Sequence, residues 1–97
     1  MKDIITQIFE IENKIKADEM NLYKRNFQRI YHELEQMGYT VVNPVGQFYD
    51  ERDNSVEANI LKEGSAKLKI TKVLKPTIYK KNDMSKDLIQ KAIVIVE

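Results

Sequence analysis

The chain has 97 residues, a hydrophobic share of 42% and a formal charge of +1, which suits one small domain and gives no global pull toward nucleic acid or acidic membranes. It has no cysteine, so disulfides, thiolate catalysis and zinc–thiolate sites are excluded. The longest apolar run, residues 92–96, is far too short to cross a bilayer, and the acids in "MKDIITQIFEIENK" argue against a secretory leader, so a cytoplasmic protein without membrane contact is expected.

Composition changes at Gly38. Before it there is neither Gly nor Pro, and from it onward lie all three Gly, both Pro and most β-branched residues. This shift predicts an α+β chain. Residues 1–38 form a helical region, with helices over residues 3–37, and residues 39–97 form a small β domain of about five short strands.

In the helical region Ile4, Ile8, Ile11 and Ile15 recur at steps of 4, 3 and 4, the spacing of a coiled-coil seam. A second stripe runs Met20, Tyr23, Phe27, Ile30, Tyr31, Leu34, Met37. The step from Ile15 to Met20 rotates the apolar face, and two readings fit it. One is a break at "KADE" with Asp18 capping a second helix, which is preferred. The other is a single bent helix. Gly38 then ends the helix in a left-handed conformation. The β region offers no partner long enough for the Ile seam, which predicts a homodimer through Ile4, Ile8, Ile11 and Ile15 together with Tyr23, Phe27, Ile30 and Leu34, the alternative being a seam folded back onto the chain's own sheet.

Beyond Gly38, "YTVVN" reads as a strand and "PVGQFYDERDNS" as a loop with one bridging pair at most. "VEANILKEG" holds a strand ending in the turn "KEGS". "AKLKITKVLKP" alternates Leu68, Ile70 and Val73 against Lys67, Lys69 and Lys72, a half-exposed strand that Pro76 ends or bends. "TIYKK" is extended, and "NDMSKD" is a turn in which Ser85 or Asp87 could start a helical turn. "KAIVIVE" is the last strand, too apolar to be an exposed edge on both faces.

No catalytic or metal constellation emerges. His32, the only histidine, falls on the back of the second helix, away from any cleft. Asp50, Glu51, Asp53 and Glu57 lack the central Gly of a calcium loop and have Arg52 among them. Gly46 has neither the glycines nor the Lys of a nucleotide loop, and Ser55, Ser65 and Ser85 lack a nucleophile elbow. Neither enzyme activity nor a cofactor is expected. Residues 62–91 hold nine Lys against three acids, a pattern that guards exposed strands or meets single-stranded nucleic acid. Only Tyr79 accompanies those lysines as an aromatic, and no Arg does, so nucleic acid stays an alternative, as does a purely structural oligomerisation protein.

The order "LEQMGYTVVNPVGQFYDERDNSVEANI" resembles the GrpE family, nucleotide exchange factors of DnaK-type chaperones. That family has a helix ending at Gly, a short strand, a "D-P-x-G-x-x-F-D-P" type loop and an "E-A" opening the next strand. Gly38, Pro44, Gly46, Tyr49 or Phe48, Asp50, Glu57 and Ala58 fall in register. "ITKVLKPTIY" and "DLIQKAIVIVE" occupy the places of the family's closing strands, so the likeness spans roughly residues 20–97. It implies a homodimer through paired helices and a compact β domain that docks on a chaperone's nucleotide-binding domain and opens its cleft, releasing ADP. The docking surface it implies includes Phe48, Tyr49, Asp50, Gln90 and Lys91. The chain departs from the family in its short N-terminal helix, in Thr77-Ile78 before Tyr79, in the enlarged turn "DMSKD", and in Gln90-Lys91 where the family has Arg-Pro.

Overall fold

Helix α1, Lys2–Lys14, contains no Gly or Pro and buries Ile5, Thr6 and Phe9. A computed structural model describes residues 1–61 and 67–97, and the expected turn "KEGS" lies outside the described residues. The buried stripe of α1 sits about 100° round the helix from the Ile seam. Ile4 and Ile11 accordingly remain 59% and 55% exposed, with Ile8 and Ile15 in between. The helix therefore finds a partner within the chain through neighbouring positions and leaves the seam turned outward.

The break before the second helix is present. Ile15 is extended, with φ −76° and ψ 130°, and α2 runs Met20–Gln36. Asp18 does not cap it. Glu19 occupies the N-cap without a side-chain bond, and the chain enters α2 through a backbone turn in which the Lys16 carbonyl accepts the N–H groups of Glu19 and Met20 at 2.9 and 3.0 Å. Of the α2 stripe, Phe27 and Leu34 are buried, whereas Tyr23 and Met37 are largely exposed. Gly38 ends the helix at φ 92°.

Six strands follow, one more than the expected five: β1 Tyr39–Val42, β2 Val56–Ile60, β3 Ile70–Lys75, β4 Thr77–Lys81, β5 Lys86–Gln90 and β6 Ala92–Val96. They form two three-stranded sheets, ordered β1-β4-β5 and β2-β6-β3. The additional strand is β5, expected as a turn with a helical start. The Asn82 side-chain carbonyl accepts the N–H groups of Met84 and Ser85, closing a tight turn that returns Lys86–Gln90 antiparallel along β4.

Strands β3 to β6 are one long antiparallel hairpin folded across two sheets. Only Pro76 separates β3 from β4, and only Lys91 separates β5 from β6. Proline suits such a corner because it has no N–H to leave unpaired. Its carbonyl accepts the Gln90 side-chain amide at 3.0 Å. That amide also donates to the Thr6 hydroxyl at 3.1 Å, so α1 is tied to the crease.

Two apolar clusters flank this seam. Ile5 packs with Leu34 and Ile78 beneath β1-β4-β5, while Phe9 packs with Ile70, Val73, Ala92, Val94 and Val96 beneath β2-β6-β3. Tyr31 donates to the Glu12 carboxylate at 2.8 Å and joins α2 to α1. Its phenol is pushed well above the usual range, first by burial and then by that carboxylate. Phe9→Ala should cost about 3–5 kcal/mol in chemical denaturation. Because α1 serves both clusters, amide exchange should rise in both sheets together. Faster exchange in β2-β6-β3 alone would contradict a shared core.

Candidate partner-binding surface

The loop between β1 and β2 is built by its own polar residues. Pro44 is buried, and its carbonyl accepts the Gln47 N–H at 3.1 Å with Gly46 at φ 86°, the positive φ that a type II turn needs at its third position. The chain then runs beside β3. The Gly46 N–H donates to the Ile70 carbonyl at 2.8 Å, the Ile70 N–H to the Gln47 carbonyl at 2.8 Å, and the Tyr49 N–H to the Leu68 carbonyl at 2.7 Å. Phe48 thus lies opposite Lys69 in an isolated bridge. Side chains alternate along such a segment. Tyr49 turns inward onto the Phe9 cluster, and Phe48 turns outward, 66% exposed.

Two of the acids beyond it, Asp50 and Asp53, serve the loop itself. Asp50 accepts the Arg52 backbone N–H at 2.9 Å and pairs with the Arg52 guanidinium at 3.2 Å. Asp53 accepts the Ser55 N–H at 2.8 Å and its hydroxyl at 2.6 Å. These are consecutive Asx turns, which satisfy backbone donors locally. No group of three or more His, Asp or Glu able to hold a metal occurs among the described residues. His32 is exposed on α2 and, contrary to the expectation that it lies away from any cleft, lines an open groove on the helical side. No helix among the described residues is long and apolar enough to cross a membrane.

The five residues expected at a docking surface do not gather in one place. Phe48 lies beside Lys69 at the end of β2-β6-β3 where Glu97 pairs with Lys69, whereas Gln90 and Lys91 lie at the crease, at the opposite end of β6. Gln90 is half-buried with its amide engaged by Thr6 and Pro76, so its polar group is directed inward. Lys91 and Asp50 are exposed.

A broader surface connects to Phe48. The register sets Ile93 between Glu57 and Lys75, and Ile95 between Asn59 and Lys72. All these positions alternate with the buried Ala92, Val94 and Val96, so they share the outer face of the sheet. Register shifts between Ile70 and Lys72 and between Val73 and Lys75 rephase β3. They keep Lys72 and Lys75 on the same face as Lys69 while Ile70 and Val73 point inward. Lys67 joins the row, its ammonium 5.9 Å from the Phe48 ring centre. Tyr79 and Lys80 belong to the other sheet. The Lys80 ammonium donates to the Met37 carbonyl at 2.6 Å and lies 4.4 Å from the Tyr39 ring centre, closing the end of α2. The lysine-rich stretch therefore divides into a structural clasp and an outward row.

The sequence reading missed Ile93, Ile95 and Lys75 as surface residues. The signal lay in "AIVIV": a strand apolar at both parities buries one face in its own core and presents the other. On the helical side a groove of about 830 Å³ is lined by Glu12, Ile15, Met20, Phe27, Tyr31 and His32, which brings Ile15 and Phe27 of the expected dimer surface together.

No family model, no curated protein and no solved structure matches the chain. Hydrogen bonding from Arg52 holds the Asp50 carboxyl below the ordinary aspartate value of 3.8. The lowered value means that the turn contact is complete above the ordinary range and is lost as pH falls through the lowered one. In an NMR titration, Arg52→Ala should move the Asp50 carboxyl upward toward that ordinary value. An unchanged midpoint would separate Arg52 from the turn.

Proposed function

We propose that the chain is a GrpE-like co-chaperone: a cytoplasmic protein-binding module that docks on the nucleotide-binding domain of a DnaK-type chaperone, holds its cleft open and releases ADP. One observation carries the reading. The glycines that the resemblance rests on, Gly38 and Gly46, are the residues that take positive φ among the described residues, and they bracket β1 and the turn that clips the Phe48 segment to β3. The remaining shared features follow in order, with Glu57 and Ala58 in β2 and the closing apolar strand in β6. The mechanism involves no bond chemistry. A protein that binds the open form of a cleft more tightly than the closed form shifts the equilibrium by that difference in affinity.

In this reading the contact falls mainly on the β sheets, because α1 folds back onto them and supplies no long stalk. Self-association is part of the proposal. Ile4, Ile8, Ile11 and Ile15 keep seam spacing, with Ile4 and Ile11 exposed and Ile8 and Ile15 half-buried, and a second copy supplies matching apolar surface. Tyr23 continues that surface on α2, 43% exposed, while Ile30 and Leu34 are committed to the Ile5 cluster and act by shaping it.

Release of labelled ADP from a DnaK-type chaperone should accelerate when micromolar protein is added, and an unchanged rate would remove the exchange activity. Light scattering should give the mass of two chains. Ile11→Asp, placed at an exposed position, should return the mass of one chain without loss of fold. A single-chain mass for the unaltered protein would refute the dimer.

A further inference from the structure

We infer that the outer face of β2-β6-β3 is the docking surface for an acidic protein surface, with the lysine row of β3 as its electrostatic edge and Ile93, Ile95 and Phe48 as its apolar contacts. The inference rests on the chaperone reading and assigns that contact to a face rather than to the crease at Gln90.

The arrangement is asymmetric. Lys72 and Lys75 of β3, preceded along the chain by Lys69 and Lys67 beside Phe48, line one side of the face, and Glu57 and Asn59 line the other. The rows stand two strand spacings apart, about 10 Å. Ile93 and Ile95 run between them, half-exposed, and Phe48 extends the apolar surface at the Lys69 end. Ion pairs among the described residues join Arg29 to Glu33 and Arg52 to Asp50, so Lys69, Lys72 and Lys75 keep their charges for an external partner. Elsewhere on the loop and on β4, polar groups are consumed locally: Asp50 and Asp53 by their own turns, Lys80 by the α2 terminus.

Three occupants can be compared. A second copy would set Lys69, Lys72 and Lys75 of one chain against the same three lysines of the other, so like charges oppose that pairing. Single-stranded nucleic acid favours stacking platforms and Arg forks, and this face has one exposed aromatic, no Arg and isoleucines at its centre. A protein surface with carboxylates beside apolar side chains meets both rows at once. The lysine stems can lie over the isoleucines in the free protein and move aside on docking.

The test uses the whole chain and a DnaK-type chaperone, with ADP release followed against protein concentration. The double variant Lys72→Glu/Lys75→Glu should need about tenfold more protein, or beyond, for half-maximal release. Its rate at saturation should stay near that of the unaltered protein, and the salt dependence of the midpoint should flatten. Lys86→Glu, on exposed β5 of the other sheet, matches half the charge change and should leave the midpoint in place. Circular dichroism melts confirm that each variant folds. If the double variant behaves as the unaltered protein, this face is overturned and the chaperone reading survives. If the unaltered protein never accelerates release, both fall. If the double variant instead loses salt-sensitive binding of a single-stranded oligonucleotide without affecting ADP release, the face belongs to nucleic acid and the inference is overturned.

Discussion

Ile5 and Phe9 lie one turn apart on α1 and enter different apolar clusters. Each three-stranded sheet offers one modest apolar face, and neither face is large enough to stand alone in so short a chain. A single helix laid over both gives them a common covering layer. Thr6 occupies the position between the two apolar anchors, directly over the line where the sheets meet. There its hydroxyl meets the Gln90 amide, which also reaches the Pro76 carbonyl. A buried polar group at such a place has to be paired, and this trio pairs its members. The helix, the crease and the return strand are thus fixed by one contact.

The crease explains the disposition of everything else. A flat hairpin of this length would expose one whole apolar face. Folding it at Pro76 and Lys91 turns β4 and β5 toward α2, and β3 and β6 toward Phe9. The molecule is consequently a slab of 41 × 41 × 18 Å, about two layers thick. In a slab of that thickness each sheet has one face inside and one outside. The outward face of β6 still carries isoleucine, and the two register shifts in β3 place its lysines beside that isoleucine. An inward parity for Lys72 would have put an ammonium into the Phe9 cluster, at a cost too large for a small core to bear.

Much of this was legible because it depends on local chemistry. Gly38 ends a helix wherever the apolar stripe stops beside a residue free to take positive φ. Pro44 and Gly46 announce a turn in the same way, and Pro76 announces a corner. The break at residues 15–19 was visible as a rotation of the apolar face, although Asp18 was the wrong residue to credit, since a backbone turn on Lys16 sufficed. Less legible were the features set by tertiary pairing. "KDLIQ" has a weak strand pattern and becomes β5 because Asn82 closes the turn and β4 offers an open edge. In α1 two apolar stripes overlap, Ile4-Ile8-Ile11-Ile15 and Ile5-Phe9. Spacing alone favoured the longer one, yet the shorter one holds the helix to the sheets, because it carries the bulky Phe9 and places Thr6 at the seam. The resemblance placed Gln90 at an interface by register. What it could not weigh was that an uncharged amide at a crease can serve the Thr6 and Pro76 oxygens together without burying the charge of the arginine that the family has there.

The same division between local and unspent polar groups bears on function. The acidic loop looked like the chemically active part of the sequence, yet the carboxylates of Asp50 and Asp53 are occupied by Arg52 and Ser55, and such short-range bonds make poor long-range attractors. The lysines of β3 read as a solvated strand face, yet Lys72 and Lys75 stand beside exposed apolar surface and enter neither of the ion pairs seen among the described residues. Charge that is not neutralised within the molecule generates the field a partner meets first, and exposed isoleucine beside it supplies the desolvation gain once contact is made. Where both occur on one face of a rigid sheet, held from behind by the helix that unites the fold, recognition does not require the chain to change shape. The stability of the face and the stability of the core then rest on the same residues, Ile5, Thr6 and Phe9, all of them buried behind that face.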